Sequence, residues 1–233
     1  KRQITYELDG TGPLIVFLHG IGGNRRNWAL QLAHFGSRFC AVSWDARGYL
    51  DSDDSPEPTK FKDFADDLLR LLDHLGAEKA HLVGLSMGGM IVQDFYDRYP
   101  ARVASLCLAD SSAGFGGVSD GVRDEFLSKR LEPLERGLTP RDIAPEVVKV
   151  LVAESASLHV REALIASMSA LRTESYKQAL KAIITTDFRS VLPNIAVPAL
   201  VIVGDEDQVT PKVESDFLVS RIPESKLVCL LYT

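Results

Sequence analysis

Cysteine and long apolar runs are both scarce in this 233-residue sequence. Its three cysteines, Cys40, Cys107 and Cys229, are not spaced like metal ligands. Each lies in or beside an apolar run, which is typical of small buried side chains in a reducing cytoplasm. No apolar run approaches the roughly 18 residues of a membrane span, and the polar start KRQITYELDG lacks the apolar core of a signal peptide. We therefore expect a cytoplasmic protein without a metal or a membrane partner.

Positive charge is also in short supply. Lys and Arg number 26 against 32 Asp and Glu, which gives a net charge of −6 at pH 7, and there is no basic run. Nucleic acid is therefore not an expected partner. The apolar content of 45% and the charged content of 25% are ordinary for a globular protein. The length suits one large domain that carries an insertion.

Short apolar runs, well separated along the chain, predict the strands of a sheet. They are Leu14–Leu18, Phe39–Trp44, Ala80–Val83, Val103–Ala109, Ala199–Val203 and Leu227–Leu231. Their hydrophobicity is continuous rather than alternating, which predicts strands buried on both faces, as in a parallel sheet between helices. Between them, Phe61–Leu75 repeats apolar residues with a helical period, and Gly76 is placed to end that helix. The alternation predicts an α/β fold with right-handed crossovers.

This alternation breaks between about residues 114 and 187, where only helical patterns occur. The start at Thr139 predicts a helix N-terminus, because a proline and an acidic residue follow it. Pro145 either breaks that helix or marks its true start. Arg161–Ile184 predicts one or two further helices. We expect a helical lid rather than an independent second domain. The predicted division is a core of residues 1–113 and 188–233 and a lid of residues 114–187.

A candidate nucleophile lies in the stretch Ala80–Phe95. An apolar run ends there in Gly84-Leu85-Ser86-Met87-Gly88, and a helical pattern follows at once. A strand that turns into a helix through G-x-S-x-G is a nucleophile elbow, which exposes its serine at the top of a sheet. The glycines leave room for the tight turn. The alternative is a structural serine in a glycine-rich helix start.

Candidate oxyanion donors follow from the same mechanism. The elbow draws one backbone amide from the residue after the serine, here Met87. The second amide comes from a loop at the end of another strand, and Leu18–Gly23 provides such a loop, with Ile21 as its donor. His19 in this loop is a possible general base, but a hydrogen-bonded support of the loop is the commoner role for a histidine at a strand end.

Together these residues resemble the α/β-hydrolase superfamily over nearly the whole chain. The motifs that carry the resemblance are, in order, His19-Gly20-Ile21-Gly22-Gly23, Trp44-Asp45-Ala46-Arg47-Gly48, the elbow, Tyr99-Pro100-Ala101-Arg102-Val103, Val197-Pro198-Ala199, Gly204-Asp205-Glu206-Asp207 and Thr210-Pro211. GLSMGGM and the stretch Ser175–Leu192 look most like 3-oxoadipate enol-lactonases. Leu50 departs from the family, which usually has glycine there, and this leaves the local loop geometry open.

The resemblance implies a catalytic acid at Asp207, with Asp110 at the end of an earlier strand as the reserve candidate. The chain order in this fold is Ser, Asp, His. The five histidines, which are His19, His34, His74, His81 and His159, all precede Asp207. No histidine in this sequence therefore follows Asp207 to serve as the base. In the N-terminal part, Gln3–Leu8 resembles the family's second strand, and nothing before it resembles the first. We expect a C-terminal core that is incomplete because the native protein is longer. A gene model broken near Cys229 and a non-catalytic binding protein are the alternatives.

The resemblance therefore implies a serine hydrolase that opens an ester or lactone bond of a small carboxylate-bearing substrate through an acyl-enzyme, with no cofactor. A broad carboxylesterase, a carbon–carbon bond hydrolase and a non-catalytic binding protein remain open. The lid carries arginines that could meet a substrate carboxylate, although solvating the helix surfaces is their commoner role. They are Arg123, Arg130, Arg136, Arg161 and Arg172. The oligomeric state is not set by the sequence.

Overall fold

The computed structural model describes residues 3–55 and 58–231. Its central feature is a seven-stranded sheet in the order β1-β3-β2-β4-β5-β6-β7, in which β1 runs antiparallel to β3 and every other pair is parallel. The strands are β1 Tyr6–Asp9, β2 Leu14–Leu18, β3 Cys40–Trp44, β4 Ala80–Leu85, β5 Val103–Ala109, β6 Ala199–Gly204 and β7 Lys226–Leu230. The predicted α/β class with a mostly parallel sheet is confirmed. The six predicted strands are β2 to β7, with ends shifted by two residues at most.

Helices cover both faces of this sheet. They are α1 Ala29–Phe35, α2 Lys62–His74, α3 Met87–Arg98, α4 Asp120–Glu135, α5 Pro140–Leu151, α6 Leu158–Ser169, α7 Thr173–Ile183 and α8 Lys212–Arg221. Along β2, Val16 faces the large core cluster shared with α2 and α3, while Ile15 and Phe17 face a smaller cluster with Trp28. Burial on both faces explains why the run is apolar throughout.

Helix α2 illustrates how the sequence pattern produces an element. Phe64, Leu68 and Leu72 recur at helical spacing and are buried in the large cluster. The helix ends where predicted, because Gly76 adopts φ 65, the left-handed conformation that suits glycine after a helix end.

Four helices, α4 to α7, separate β5 from β6, as predicted for this part of the chain. The Thr139 side chain and Asp142 form a capping box at the start of α5, and Pro145 lies inside that helix without breaking it. Gly114 and Asp187 pair in an isolated antiparallel bridge, so the chain enters and leaves the four-helix segment at adjacent points. Among the described residues, no helix is both long and apolar enough for a membrane span.

Candidate active site

Ser86 lies at the sharp turn between β4 and α3. Its backbone has φ 52 and ψ −115, a left-handed conformation that is rare for a residue with a side chain. The turn is held by hydrogen bonds from the Ser86 N–H to the Ala109 carbonyl (2.9 Å) and from the Ser111 hydroxyl to the Ser86 carbonyl (2.9 Å). The Ser86 side chain is half-buried and does not cap α3. The Ser86 hydroxyl is thus not tied to the start of the helix.

The glycines of the elbow are required by close backbone contacts. A β-carbon at Gly84 would lie 2.3 Å from the Gly88 carbonyl oxygen, and one at Gly88 would lie 2.2 Å from the Leu18 carbonyl oxygen. Neither position can accept a side chain without moving backbone. Gly20 brings the neighbouring loop close, because a β-carbon there would lie 3.4 Å from the Ser86 β-carbon. The end of β2 and the elbow thus form one site.

The loop that follows β2 is held by hydrogen bonds that its backbone carbonyl groups accept. The Gly20 carbonyl accepts from the Gly23 N–H (2.9 Å) and from His19 Nδ1 (2.8 Å), and the Ile21 carbonyl accepts from the Tyr49 hydroxyl (2.9 Å). In a planar trans peptide the N–H points opposite to the carbonyl. Fixing the Gly20 carbonyl therefore also fixes the direction of the Ile21 N–H.

His19 uses both of its ring nitrogens in this support. Nδ1 donates to the Gly20 carbonyl, and Nε2 accepts from the Ala46 N–H at 3.1 Å, which defines a neutral ring. The side chain is 1% exposed, and burial lowers its pKa to about 4. A ring engaged at both nitrogens cannot also take a proton from Ser86, so His19 is a support of the loop.

Two carboxyl groups lie at the ends of the strands beyond the elbow. Asp207 follows β6, where Oδ1 accepts from the Val209 N–H (2.7 Å) and the Thr210 N–H (2.9 Å), and Oδ2 accepts from the Thr210 hydroxyl (2.7 Å). Asp110 follows β5, has φ 41, and accepts from the Gly204 N–H at 3.0 Å. Burial raises the pKa of Asp110 to about 6, and the adjacent charge of Asp207 adds to the rise. The two acid candidates are thus neighbours.

The remaining histidines lie away from Ser86. His34 and His74 are exposed at the ends of α1 and α2, and His159 is exposed on α6. His81 lies near the start of β4, the opposite end of the strand from Ser86, where its Nδ1 is 2.8 Å from the Ser105 hydroxyl. Within the described residues, no hydrogen bond joins a histidine to Ser86 or to Asp207, so no triad is formed there.

The structure gives the predicted lid arginines different surroundings. Arg161 donates to backbone carbonyls of its own segment, Arg136 pairs with Glu132, and Arg123 pairs with Asp120. Arg172 donates to the carbonyls of Leu50 and Ser52 and pairs with Asp54. The Arg130 guanidinium lies 4.0 Å from the centre of the Phe126 ring, and its Nη1 donates to the Phe126 carbonyl at 3.1 Å. Among the described residues, Arg130 pairs with no carboxylate.

Sequence patterns did not identify Tyr49, Ser111 or Ser167 as parts of this site. The Tyr49 hydroxyl holds the loop that follows β2, and the Ser111 hydroxyl holds the elbow. The Ser167 hydroxyl is 3.4 Å from the Gly22 carbonyl, from a position 145 residues further along the chain. None belongs to a local motif with chemical meaning. The one available signal is that Ser111 follows the end of a predicted strand, where side chains of a parallel sheet gather.

Comparison with known proteins agrees with this geometry. The model of the alpha/beta hydrolase fold family matches residues 13–134, which is more than half of the chain. The chain belongs to the α/β-hydrolase fold family.

Within that family the chain is similar to enol-lactonases and esterases. It is 27% identical over 220 residues to 3-oxoadipate enol-lactonase 2 of Acinetobacter baylyi, covering 94% of this chain and 80% of that one. The crystal structure of the enol-lactonase from Burkholderia xenovorans LB400 superposes with a TM-score of 0.88 at 26% identity, covering 98% of this chain and 88% of that one. A thermophilic esterase from Thermogutta terrifontis has a TM-score of 0.90 at 29% identity, covering 98% and 85%. The predicted resemblance is confirmed.

Proposed function

We propose that this α/β-hydrolase is a serine hydrolase that cleaves an ester or lactone bond of a small carboxylate-bearing substrate through an acyl-enzyme. The observation that carries the proposal is Ser86 in a left-handed turn between β4 and α3, with its hydroxyl free of the helix end. Similarity to enol-lactonases supports a lactone as the substrate.

The proposed chemistry uses groups of this site in sequence. The Ser86 oxygen attacks the substrate carbonyl carbon while its proton passes to a base, and the amides of Ile21 and Met87 hold the oxyanion. Collapse of the intermediate releases the alcohol or enol oxygen, which takes the proton from the base. Water then hydrolyses the acyl-enzyme by the same route. Asp207 orients the base and stabilises its charged form.

The base is the component that residues 1–233 do not supply. All five histidines precede Asp207, and the family order places the base after the acid. Asp207 and Ser86 follow strands two positions apart in the sheet. Neighbouring strands lie about 4.8 Å apart, so about 10 Å separates these strand ends. We infer that residues 1–233 alone hydrolyse esters slowly.

A hydrolysis assay tests the proposal. The chain and a version extended by an enol-lactonase C-terminal segment with its histidine are compared on p-nitrophenyl acetate and on a carboxylate-bearing γ-lactone. We expect the extension to raise kcat by about 10³-fold or more, because oxyanion stabilisation alone leaves only a small part of triad catalysis. Ser86→Ala should abolish the gain, whereas Ser128→Ala on α4 should leave it unchanged. An unextended chain as fast as the extended one would show that another residue is the base.

A broad carboxylesterase is the second candidate, and the likeness to a thermophilic esterase favours it. The two candidates differ in whether they select a carboxylate. Faster hydrolysis of neutral p-nitrophenyl esters than of the carboxylate-bearing lactone would favour the esterase. Retention of the lactone without turnover, even in the extended chain, would instead indicate a binding protein. A cytoplasmic location and the absence of a cofactor stay predictions.

Arg130 is the lid residue that we assign to the substrate carboxylate. Its guanidinium is partly buried, its pKa is lowered by that burial, and it pairs with no carboxylate among the described residues. A cation removed from water is stabilised by an anion. Arg130→Met should raise KM for the acid lactone by about tenfold and leave KM for its methyl ester within about twofold. Equal changes for both substrates would assign Arg130 to packing.

A further inference from the structure

The oxyanion loop Gly20–Gly23 holds three glycines around Ile21. Glycine backbones lose the most conformational freedom on folding, so such a loop keeps one shape only when other groups hold it. The carbonyls of Gly20 and Ile21 are held by core residues, as described above. The third consecutive carbonyl, that of Gly22, is held from the four-helix segment.

Ser167 on α6 makes this third contact. Its hydroxyl accepts from Asn24 Nδ2 at 2.7 Å and lies 3.1 Å from Asn27 Oδ1 and 3.4 Å from the Gly22 carbonyl oxygen. A hydroxyl has one proton, so it donates to one of these two oxygens at a time. Ser167 is 7% exposed and Asn24 is 3% exposed. Water therefore does not readily replace these bonds.

Asn24 and Asn27 extend the contact into the loop backbone. The Asn24 side chain accepts from the Arg26 N–H at 3.0 Å, and Asn27 Oδ1 accepts from the Asn24 N–H at 2.7 Å. Together they form the capping box of the short helix Arg25–Trp28 that follows the loop. The Ser167 hydroxyl thus completes a hydrogen-bonded cluster that ends the loop.

The other polar contacts of the segment reach a different loop. Arg172 and Ser175 contact the stretch from Leu50 to Asp54, and Gln178 contacts Thr59. In the hydrogen bonds of the part of the chain that the structure describes, Ser167 is the residue of α4 to α7 that reaches the oxyanion loop.

We propose that Ser167 is a positioning residue that ties α6 to the oxyanion loop. By holding the Gly22 carbonyl it directs the Gly23 N–H, which donates to the Gly20 carbonyl and so keeps the Ile21 amide in place. The proposal rests on the proposed function, since it assigns the loop a role in holding the oxyanion. The four-helix segment then does more than cover the substrate, because its contact with the loop completes the oxyanion site.

Hydrogen exchange of the 233-residue chain tests the contact without depending on turnover. Ser167→Ala should speed exchange of the Gly23 and Asn24 amides by about tenfold or more, because Gly23 donates to the Gly20 carbonyl within the loop and Asn24 donates to Asn27 within the cluster. Peptides covering β4 and α3 should change by less than about twofold. Ser105→Ala is the matched control, since it removes a hydroxyl bonded to His81 at the far end of the sheet. Equal protection of the loop in both variants, or faster exchange throughout the Ser167→Ala chain, would overturn the proposal.

The kcat of the same chain for hydrolysis of p-nitrophenyl acetate distinguishes a positioning role of Ser167 from a purely structural one. Ser167→Ala should lower kcat by about tenfold to a hundredfold with KM within about twofold, because a misdirected donor is lost in the transition state. Ser167→Thr, which keeps the hydroxyl, should restore most of kcat. A change in KM alone would contradict the assignment. Hydrolysis that persists in Ser86→Ala would remove the proposed function, whereas the exchange result would still decide the contact.

Discussion

Ser86, Asp110 and Leu50 hold left-handed backbone conformations, with φ values of 52, 41 and 38. Such a conformation costs about 1–2 kcal/mol for a residue with a side chain and persists where surrounding contacts enforce it. Two of the three lie at the proposed site. The positive φ of Leu50 explains why the family usually has glycine at this position. The Leu50 carbonyl accepts a 2.6 Å hydrogen bond from Arg172, which holds the loop in a shape that glycine would adopt freely.

The buried His19 and the half-buried Asp110, both near the elbow, give opposite dependences of stability on pH. The pKa of His19 is lowered from 6.5 to about 4. Its contribution to the free energy of unfolding is therefore complete above pH 6.5 and is lost as the pH falls towards 4. The pKa of Asp110 is raised from 3.8 to about 6, so its contribution is complete below pH 3.8 and is lost as the pH rises through 6. Each amounts to about 3 kcal/mol, and the two largely cancel between pH 4 and 6.5.

Replacing Asp110 separates these contributions. Asp110→Asn removes the carboxyl group that resists ionisation while keeping an acceptor for the Gly204 N–H. We expect the difference in unfolding free energy between this variant and the wild type to be about 3 kcal/mol larger, in favour of the variant, at pH 7 than at pH 4. Urea denaturation at the two pH values measures this difference. Asp205→Asn, exposed in the neighbouring turn, should show nearly the same difference at both pH values. A pH-independent difference for Asp110→Asn would mean that Asp110 ionises normally.

At the scale of elements, the strands were the most predictable part. Runs such as Leu14–Leu18 and Val103–Ala109 have the observed bounds, because burial on both faces leaves a continuous apolar signal. Helix α4 was less predictable, since its apolar residues do not follow a single face. Pro145 also misleads, because it has no N–H to bond the Arg141 carbonyl and yet lies inside α5.

The four-helix segment shares the core of the sheet. Leu180 on α7 is fully buried in the large cluster, whereas Leu158 on α6 is 70% exposed. Leu180→Ala should cost about 2–5 kcal/mol of unfolding free energy, and Leu158→Ala should cost less than about 0.5 kcal/mol. Chemical denaturation with a single transition measures both. A small effect for Leu180→Ala would indicate that the segment is a detachable cover.

For the whole molecule, the sequence indicated Ser86 and the loop of Ile21 as candidates because both belong to local motifs at strand ends. It did not locate the contacts between distant segments. Ser167 meets Asn24 across 143 positions, and Asp110 meets the Gly204 N–H across 94. Such contacts follow from the packing of the whole chain and leave no periodic or motif signal. The dual hydrogen bonding of His19, which removes it as a base, was likewise visible only in the fold.

The nucleophilic role of Ser86 is the central claim, and covalent labelling tests it most directly. The chain, in its 233-residue and extended forms, is treated with a fluorophosphonate, which forms a stable bond to an activated serine. Peptide mass spectrometry then locates the adduct, with Ser86→Ala and Ser128→Ala treated alongside. We predict a single adduct on Ser86, faster in the extended form, absent from Ser86→Ala and unchanged in Ser128→Ala. An adduct on another serine, or none in a preparation that hydrolyses esters, would contradict the assignment.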